Sequence, residues 1–322
     1  MVRAETSPPQ RPGLRSWGEP GKADAVSGRA WVRRTKGERI FNVLNLLFLG
    51  AIGLLALYPF LYTLSISLST AAEAQRDSLH LYPREISLMA YRIVLGSPEI
   101  LTGFANTLIR TALGTVLTVL LTCVAAYPLA RRELPHRGMI VFLILFTMIF
   151  SGGIVPNYLL VRDLGLINSV WALVLPTLLS AFNIIVVKNF FQQIPESLHE
   201  AARVEGASEW AILFRIYIPL SKPVLATVCL WTAVMHWNQW FDAMLYITDD
   251  HKQVLQNFLQ RIVIENSTQL IDMGKTAPDL MSYTPETVKA ATVVVMILPM
   301  LCLYPLVQKY FVSGILLGGV KE

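Results

Sequence analysis

The chain has 322 residues, of which 54% are hydrophobic and only 15% are charged. Soluble domains of this size carry about a quarter charged residues, so the composition excludes an ordinary soluble protein. The net charge of +5 does not indicate nucleic-acid binding, because the basic residues flank apolar runs, as in membrane proteins.

Residues 1–38 are rich in Pro, Gly, Ser and Arg and lack periodicity, which predicts a disordered, basic cytoplasmic tail. The remaining residues, 39–322, are predicted to form one all-α, polytopic membrane domain. Six apolar runs can span a bilayer, which needs about 20 apolar residues. They lie near residues 41–68, 103–130, 138–155, 169–187, 223–246 and 288–306.

The distribution of Lys and Arg predicts the orientation of these six spans. One side of the predicted topology carries 18 of these residues and the other side carries eight. Since cytoplasmic loops carry the excess, both termini are predicted to be cytoplasmic. The three cysteines all lie inside apolar runs, so neither a disulfide framework nor a metal site is indicated.

A polar stretch, EAARVEGASEWAILFRIYIP at residues 200–219, interrupts the apolar runs. It is too polar to lie in hydrocarbon, so it faces water or another protein. Pro195 suits the start of a short helix, and Gly206 suits a left-handed end. Ser208 suits the cap of a second helix, which Pro219 is predicted to stop.

This stretch resembles the cytoplasmic loop of permease subunits of binding-protein-dependent ABC importers. The family signature is Glu-Ala-Ala, three residues, Gly and, about a dozen residues later, a hydrophobic-Leu-Pro-like end. The matching residues are Glu200, Ala201, Ala202, Gly206, Ala207, Ile218 and Pro219. Glu205 stands where the carbohydrate branch usually has Asp, which keeps the charge.

The resemblance implies that the loop 195–222 is a coupling loop that docks on a separate ATPase subunit. The residues to which it assigns this contact are Glu200, Ala201, Ala202, Glu205, Gly206, Ala207 and Pro219. The alternative is an ordinary amphipathic turn between two membrane helices.

Two sizeable loops are predicted on the outer side, near residues 70–102 and 247–287. In the second, apolar residues recur at helical spacing, which predicts a short amphipathic helix. These residues are Val254, Leu255, Phe258, Leu259 and Ile262. The helix could contact an extracellular binding protein or simply pack on neighbouring loops, and periodicity does not choose between them.

The C-terminal tail, residues 309–322, is predicted to be cytoplasmic. Its ending is similar to that of carbohydrate-importer permeases, and this implies that Gly318, Gly319 and Lys321 reach the ATPase pair. The alternative is a frayed terminus. The segment Pro156–Pro176 and the WNQWF stretch from Trp237 resemble a branch of the family that serves complex oligosaccharides.

The chain lacks the GxxxxGK phosphate loop, HExxH and a nucleophile elbow. No catalytic or metal-binding residue and no cofactor are therefore predicted in this chain, and ATP and Mg are expected in a partner ATPase. Sugars bind to aromatic faces with amide and hydroxyl partners. The candidates for the substrate path are Asn106, Asn183, Trp231, Trp237 and Asn238. Alternatively, the tryptophans form an interfacial belt and the amides bond helices together.

The resemblance thus implies a permease of the type I ABC importer fold in the cell (inner) membrane. The resemblance implies a second homologous permease, a pair of ATPase subunits and an extracellular or periplasmic sugar-binding protein as partners. A stand-alone secondary transporter or channel, or a membrane scaffold protein, is the alternative. A carrier is disfavoured, because it would be expected to show a more obvious midplane charge pair or broken helices. The only ionisable candidates within the spans are Arg110, His236 and Asp242, and Arg110 and Asp242 are predicted to lie near the outer boundary.

Overall fold

The computed structural model describes residues 36–76, 78–264 and 283–318. Most of the predicted N-terminal tail, the middle of the second outer loop, and Gly319 and Lys321 lie outside the described residues. The chain divides into two compact units, residues 1–54 and 55–322. The described part of the first unit is helical throughout.

The described residues form helices, 3-10 turns and one isolated bridge, which confirms the all-α prediction. The first eight helices are α1 Lys36–Ser67, α2 Ala71–Ala74, α3 Met89–Gly96, α4 Pro98–Ala130, α5 Arg137–Ile149, α6 Ile154–Asp163, α7 Val170–Val174 and α8 Ala181–Phe191. The remaining seven are α9 Glu196–Val204, α10 Glu209–Ile212, α11 Ile218–Leu220, α12 Lys222–Asn238, α13 Phe241–Tyr246, α14 Leu255–Ile264 and α15 Pro285–Gly318. A 3-10 turn, Leu175–Thr177, extends α7, and a π-helical turn, Leu213–Tyr217, joins α10 to α11.

Three helices, α1, α4 and the Pro285–Cys302 part of α15, are single helices long and apolar enough to cross a membrane. Three further candidates are bent pairs. The bend is 109° between α5 and α6, 54° between the extended α7 and α8, and 83° between the α10–α11 segment and α12. The described residues therefore hold up to six spans if each bent pair is one span, and the count of six stays a prediction.

The predicted run 138–155 is not one helix. Helix α5 ends at Ile149, and the chain turns through Gly153, whose φ of +85° is a left-handed conformation that favours glycine. Hydropathy does not register this turn, because the glycines hardly lower the apolar average of the run.

Helix α4 lies at the centre of the larger unit, and it packs most extensively against α12 and α8. Its C-terminal half contributes Cys123, Ala126 and Tyr127 to one buried cluster with α8, α12 and the α10–α11 segment. Its N-terminal end contributes Ile100 to a second cluster with α3, α12, α14 and α15. Both ends of one helix therefore position the loops described next.

Candidate coupling loop and substrate path

Helix α9 carries the Glu-Ala-Ala signature and ends as the sequence predicts. Gly206 has a φ of +84°, and its amide N–H donates to the Arg203 carbonyl at 3.0 Å. The Ala207 N–H donates to the Ala202 carbonyl at 3.0 Å. These two bonds form a Schellman end, which satisfies carbonyls that the helix leaves open. Glu200 and Glu205 are exposed to solvent on this short helix.

The second half of the loop begins as predicted but continues further. The Ser208 hydroxyl accepts a hydrogen bond from the Ala211 N–H at 3.3 Å, so Ser208 caps α10. Pro219 does not stop the helical segment, which runs through the π-helical turn to Leu220 and breaks at Ser221. A proline lacks the N–H for the usual bond four residues back, and the π-helical turn lies directly before this part of the segment.

A polar contact fastens the coupling loop to α4. The Tyr127 hydroxyl donates to the Glu209 carboxylate at 2.5 Å and lies 3.4 Å from Nδ1 of His199. His199 Nε2 is 3.8 Å from the other oxygen of Glu209. Because Tyr127 belongs to α4 and the other two residues belong to α9 and α10, this cluster ties both helices of the loop to one membrane helix.

His199 is buried at 1% exposure, directly before the exposed Glu200. Burial holds the pKa of His199 below its usual value, and the nearby Arg131 guanidinium lowers it further, against the opposing effect of Glu209. The imidazole is therefore neutral near pH 7, which suits its place beside the Tyr127 hydroxyl. Sequence reasoning missed His199 and Tyr127, which are 72 residues apart.

The loop also exposes large apolar side chains. Val204 is 89% exposed and Trp210 is 60% exposed, and Trp210 stacks on Phe214 with ring centroids 6.2 Å apart. These apolar side chains lie on one short polar loop, where the rest of the described chain leaves them uncovered. The signal in the sequence was the apolar Val204 and Trp210 inside a charged segment.

The opposite end of α4 holds the second outer loop. The Asn106 amide donates to the carbonyls of His251 and Gln253 at 2.9 and 3.0 Å. The Leu255 N–H donates to the Thr107 hydroxyl at 2.9 Å. From Asn106 to Tyr127, α4 rises about 31 Å, which is close to the roughly 30 Å thickness of the bilayer core.

The predicted amphipathic helix of the outer loop is confirmed as α14. Leu255 is fully buried and Phe258 is 8% exposed, and both belong to the cluster with α3, α12 and α15. The apolar face of α14 thus packs on the permease itself. The predicted contact with a binding protein stays a prediction.

A buried ion pair links α4 to α13. Arg110 is fully buried, and its guanidinium is paired with the Asp242 carboxylate and donates to the Gln239 carbonyl at 2.9 Å. The Gln239 carbonyl lies at the break between α12 and α13. A buried charge needs this kind of pairing, so the pair fixes the geometry of the break.

The structure brings together two of the five residues predicted for the substrate path. The Trp231 indole N–H donates to the Asn183 amide oxygen at 2.8 Å, and both residues line a cavity of about 160 Å³. Thr118 of α4 and Thr232 of α12 line the same cavity.

The other three residues lie elsewhere. Trp237 is 2% exposed in the core, where its indole N–H donates to the Met296 carbonyl at 3.1 Å. Asn238 is exposed and donates to the Val234 carbonyl of its own helix at 2.8 Å. Asn106 holds the outer loop, as described above. A place on the substrate path stays a prediction for all five residues.

Comparisons with known proteins agree with the loop and the fold. The model of the family "Binding-protein-dependent transport system inner membrane component" matches residues 100–316. Protein LplC of Bacillus subtilis (strain 168) is 42% identical over 293 residues, which cover 90% of this chain and 98% of LplC. The polygalacturonan/rhamnogalacturonan transport system permease protein YtcP of the same organism is 41% identical over 285 residues, or 88% of this chain and 99% of YtcP.

A solved structure shows the same fold. One chain in the crystal structure of a bacterial ABC transporter involved in the import of the acidic polysaccharide alginate is 36% identical, with a TM-score of 0.81. The match covers 86% of this chain and 99% of that chain. The chain therefore belongs to the family of inner membrane components of binding-protein-dependent transport systems and is a membrane-spanning permease of an ABC importer.

Proposed function

We propose that this permease forms, with a second homologous permease, the path by which a sugar or oligosaccharide enters the cell, and that it catalyses no reaction. The observation that carries this is the coupling loop, with its Schellman end at Gly206 and its exposed Glu200. The names of similar proteins support the sugar class, since YtcP is a permease for polygalacturonan and rhamnogalacturonan and another relative imports melibiose, raffinose and stachyose.

A pair of separate ATPase subunits binds ATP and Mg and docks on the coupling loop. Two features of the loop support this partner. The exposed side chains of Val204 and Trp210 supply apolar area for a protein interface, and Glu200 supplies a carboxylate for a basic group. Because Tyr127 bonds to the loop, a displacement of the loop by the ATPase is transmitted to α4.

The outer loop meets an extracellular or periplasmic sugar-binding protein on the other side of the membrane. This orientation is supported by α4, which bonds the coupling loop at one end and the outer loop at the other, about 31 Å apart. With the excess of Lys and Arg on the coupling-loop side, both termini lie in the cytoplasm of a multi-pass protein in the cell (inner) membrane.

Co-purification tests this proposal. The tagged chain is isolated from its native membrane in mild detergent, and the bound subunits are identified by mass spectrometry. We expect a second permease and an ATPase, and uptake of the sugar by the reconstituted complex should require ATP. A chain that purifies alone and transports under a proton or sodium gradient without ATP would instead support a stand-alone secondary transporter.

A further inference from the structure

Two helical arms leave the coupling loop in opposite directions along the chain. The first runs back through α8 and the extended α7, and the second runs forward through α12 and α13. Both arms pack against α4, and α8 also packs against α12. Each arm is broken, the first at residues 178–180 and the second at residues 239–240. Because short irregular segments can absorb large changes in backbone angles, the coupling loop alone does not fix the positions of α7 and α13.

One residue joins the outer ends of the two arms. Asn168 lies just before α7, and its amide oxygen accepts hydrogen bonds from the N–H groups of Thr248 at 2.7 Å and Asp249 at 3.0 Å. Its amide NH₂ donates to the Thr248 hydroxyl at 2.8 Å. Its backbone N–H donates to the carbonyl of Tyr246, the last residue of α13, at 3.0 Å. These bonds connect two segments that are 80 positions apart in the chain.

The residue type at this position matters twice. The φ of Asn168 is +59°, a left-handed conformation that asparagine adopts more readily than most residues with a side chain. The asparagine amide also offers an acceptor and a donor at one end, and Asn168 uses both toward the same loop. Asparagine thus meets the requirement of the backbone and that of the contact, whereas glycine meets only the first.

Apolar packing continues this contact toward the membrane. Ala172 of α7 and Ala243 of α13 are 1% and 0% exposed, and both belong to one buried cluster. The break of the second arm is held by Arg110, as described above, but Ser180 at the break of the first arm makes no side-chain cap to α8. The position of α7 therefore depends on its contacts with α13 and with the loop that follows α13.

We propose that Asn168 is a positioning residue for coupling, an inference that rests on the proposed function. By joining the start of α7 to the loop after α13, Asn168 closes a frame whose other end is the coupling loop. A displacement of the coupling loop by the ATPase then moves the outer ends of both arms together, on the side where the binding protein delivers the sugar. Without this contact the two broken arms move separately, and less sugar passes for each ATP hydrolysed.

A set of variants separates the contact from the backbone angle. Asn168→Gly adopts the left-handed backbone but lacks the side-chain bonds. Asn168→Asp is the matched control, because a carboxylate accepts from both N–H groups and from the Thr248 hydroxyl. The double variant Asn168→Cys with Thr248→Cys removes the amide, and a short bifunctional thiol reagent then restores the link. Asn168→Cys alone with the same reagent controls for reaction at the native cysteines, which are Cys123, Cys229 and Cys302.

All variants are measured in the complete complex in proteoliposomes with loaded binding protein. The readout is sugar imported per ATP hydrolysed, with raffinose and trigalacturonate as the probes. We expect Asn168→Gly and the untreated double variant to import about two- to tenfold less sugar per ATP, the scale of one net hydrogen bond, while stimulated hydrolysis continues. Asn168→Asp should match the wild type. The reagent should restore import in the double variant but not in Asn168→Cys.

Several results would overturn the inference. These are a wild-type ratio of import to hydrolysis in Asn168→Gly, an equal loss in Asn168→Asp, and a reagent that blocks import or fails to restore it in the double variant. A fall of import and hydrolysis in equal proportion would also overturn it, because that result indicates damage to folding rather than to coupling. A wild-type complex that imports neither probe with ATP would instead overturn the proposed function, and that result depends on no variant.

Discussion

Replacing Gly206 tests whether the end of α9 aims the coupling loop. No atom lies within 4 Å of a Cβ built at Gly206, so a substitution meets only the cost of its φ of +84°. For alanine that cost is about 1–2 kcal/mol, which shifts the equilibrium between the native loop and a misdirected loop by about 5- to 30-fold. Asparagine tolerates this conformation better than alanine does.

Proline should be more damaging at the same position. Its φ is fixed near −65°, and it lacks the N–H that donates to the Arg203 carbonyl at 3.0 Å. The Schellman end is therefore lost outright. Coupling is expected to fall in the order wild type, Gly206→Asn, Gly206→Ala, Gly206→Pro, with sugar uptake and stimulated ATP hydrolysis falling together.

The assay is ATP hydrolysis in reconstituted vesicles, with and without loaded binding protein. Gly165→Ala is the matched control, because Gly165 ends α6 in the same motif, with a φ of +69° and open space around it. This control should have a similar cost in stability but normal coupling. If Gly206→Pro retains wild-type stimulation and uptake, the loop is not the coupling element and the reasoning fails.

Four further changes test other parts of the molecule. Glu200→Ala should lower stimulated ATP hydrolysis and uptake together, because removing one partner of a buried interfacial pair typically costs about 2–5 kcal/mol, and much less at an exposed rim. Reporter fusions after Ser208 should read cytoplasmic, and those after Thr268 external, because of the charge bias. Stimulated ATP hydrolysis should weaken as the pH falls below 6.5, the ordinary pKa of histidine. The folded loop holds the pKa of His199 below that value, so the loop is stabilised while His199 is neutral and loses this stabilisation as His199 is protonated. His199→Gln should flatten this pH dependence. Trp237→Ala should lower the yield of folded permease, because large-to-small changes of a buried tryptophan cost about 3–5 kcal/mol.

Specific results would contradict these four expectations. Wild-type stimulation and uptake in Glu200→Ala would show that the Glu200 carboxylate does not contribute to the interface with the ATPase. If the reporter fused after Ser208 reads external, the loop lies on the wrong side of the membrane to contact an ATPase. An equal pH dependence in His199→Gln would assign the effect to another group. If Trp237→Ala gives a normal yield of folded permease but impaired uptake, Trp237 contributes to the substrate path rather than to the stability of the core.

Local sequence signals predicted the end of α9 at Gly206 and the start of α10 at Ser208. The left-handed turn at Gly206 and the cap at Ser208 depend on neighbouring residues only, so both can be predicted from the local sequence without knowledge of the fold. The contact of Tyr127 with Glu209 was not predictable, since the residues are 82 positions apart and tyrosine is ordinary in an apolar run. Long-range packing, rather than residue type, brings them together.

The bent spans and the substrate path show the same limit. Hydropathy found the apolar runs, but it averages over the turn at Gly153 and the break between α7 and α8 at residues 178–180. Aromatic and amide residues suggested a sugar path, yet Trp237 packs in the core whereas Trp231 lines the cavity. The two tryptophans lie six positions apart on α12, and only the neighbouring helices distinguish their surroundings.

The pair of Arg110 and Asp242 has a consequence for how the chain is made. The two residues are 132 positions apart, and ribosomes add about 5–20 residues per second, so the carboxylate follows the guanidinium by about 7–26 s. An unpaired arginine deep in lipid is costly, but Arg110 lies one turn from Asn106, so its long side chain can reach the water at that end of α4 in the interval. Until α13 has been synthesised, the Arg110 guanidinium therefore lacks the carboxylate that pairs with it in the folded chain.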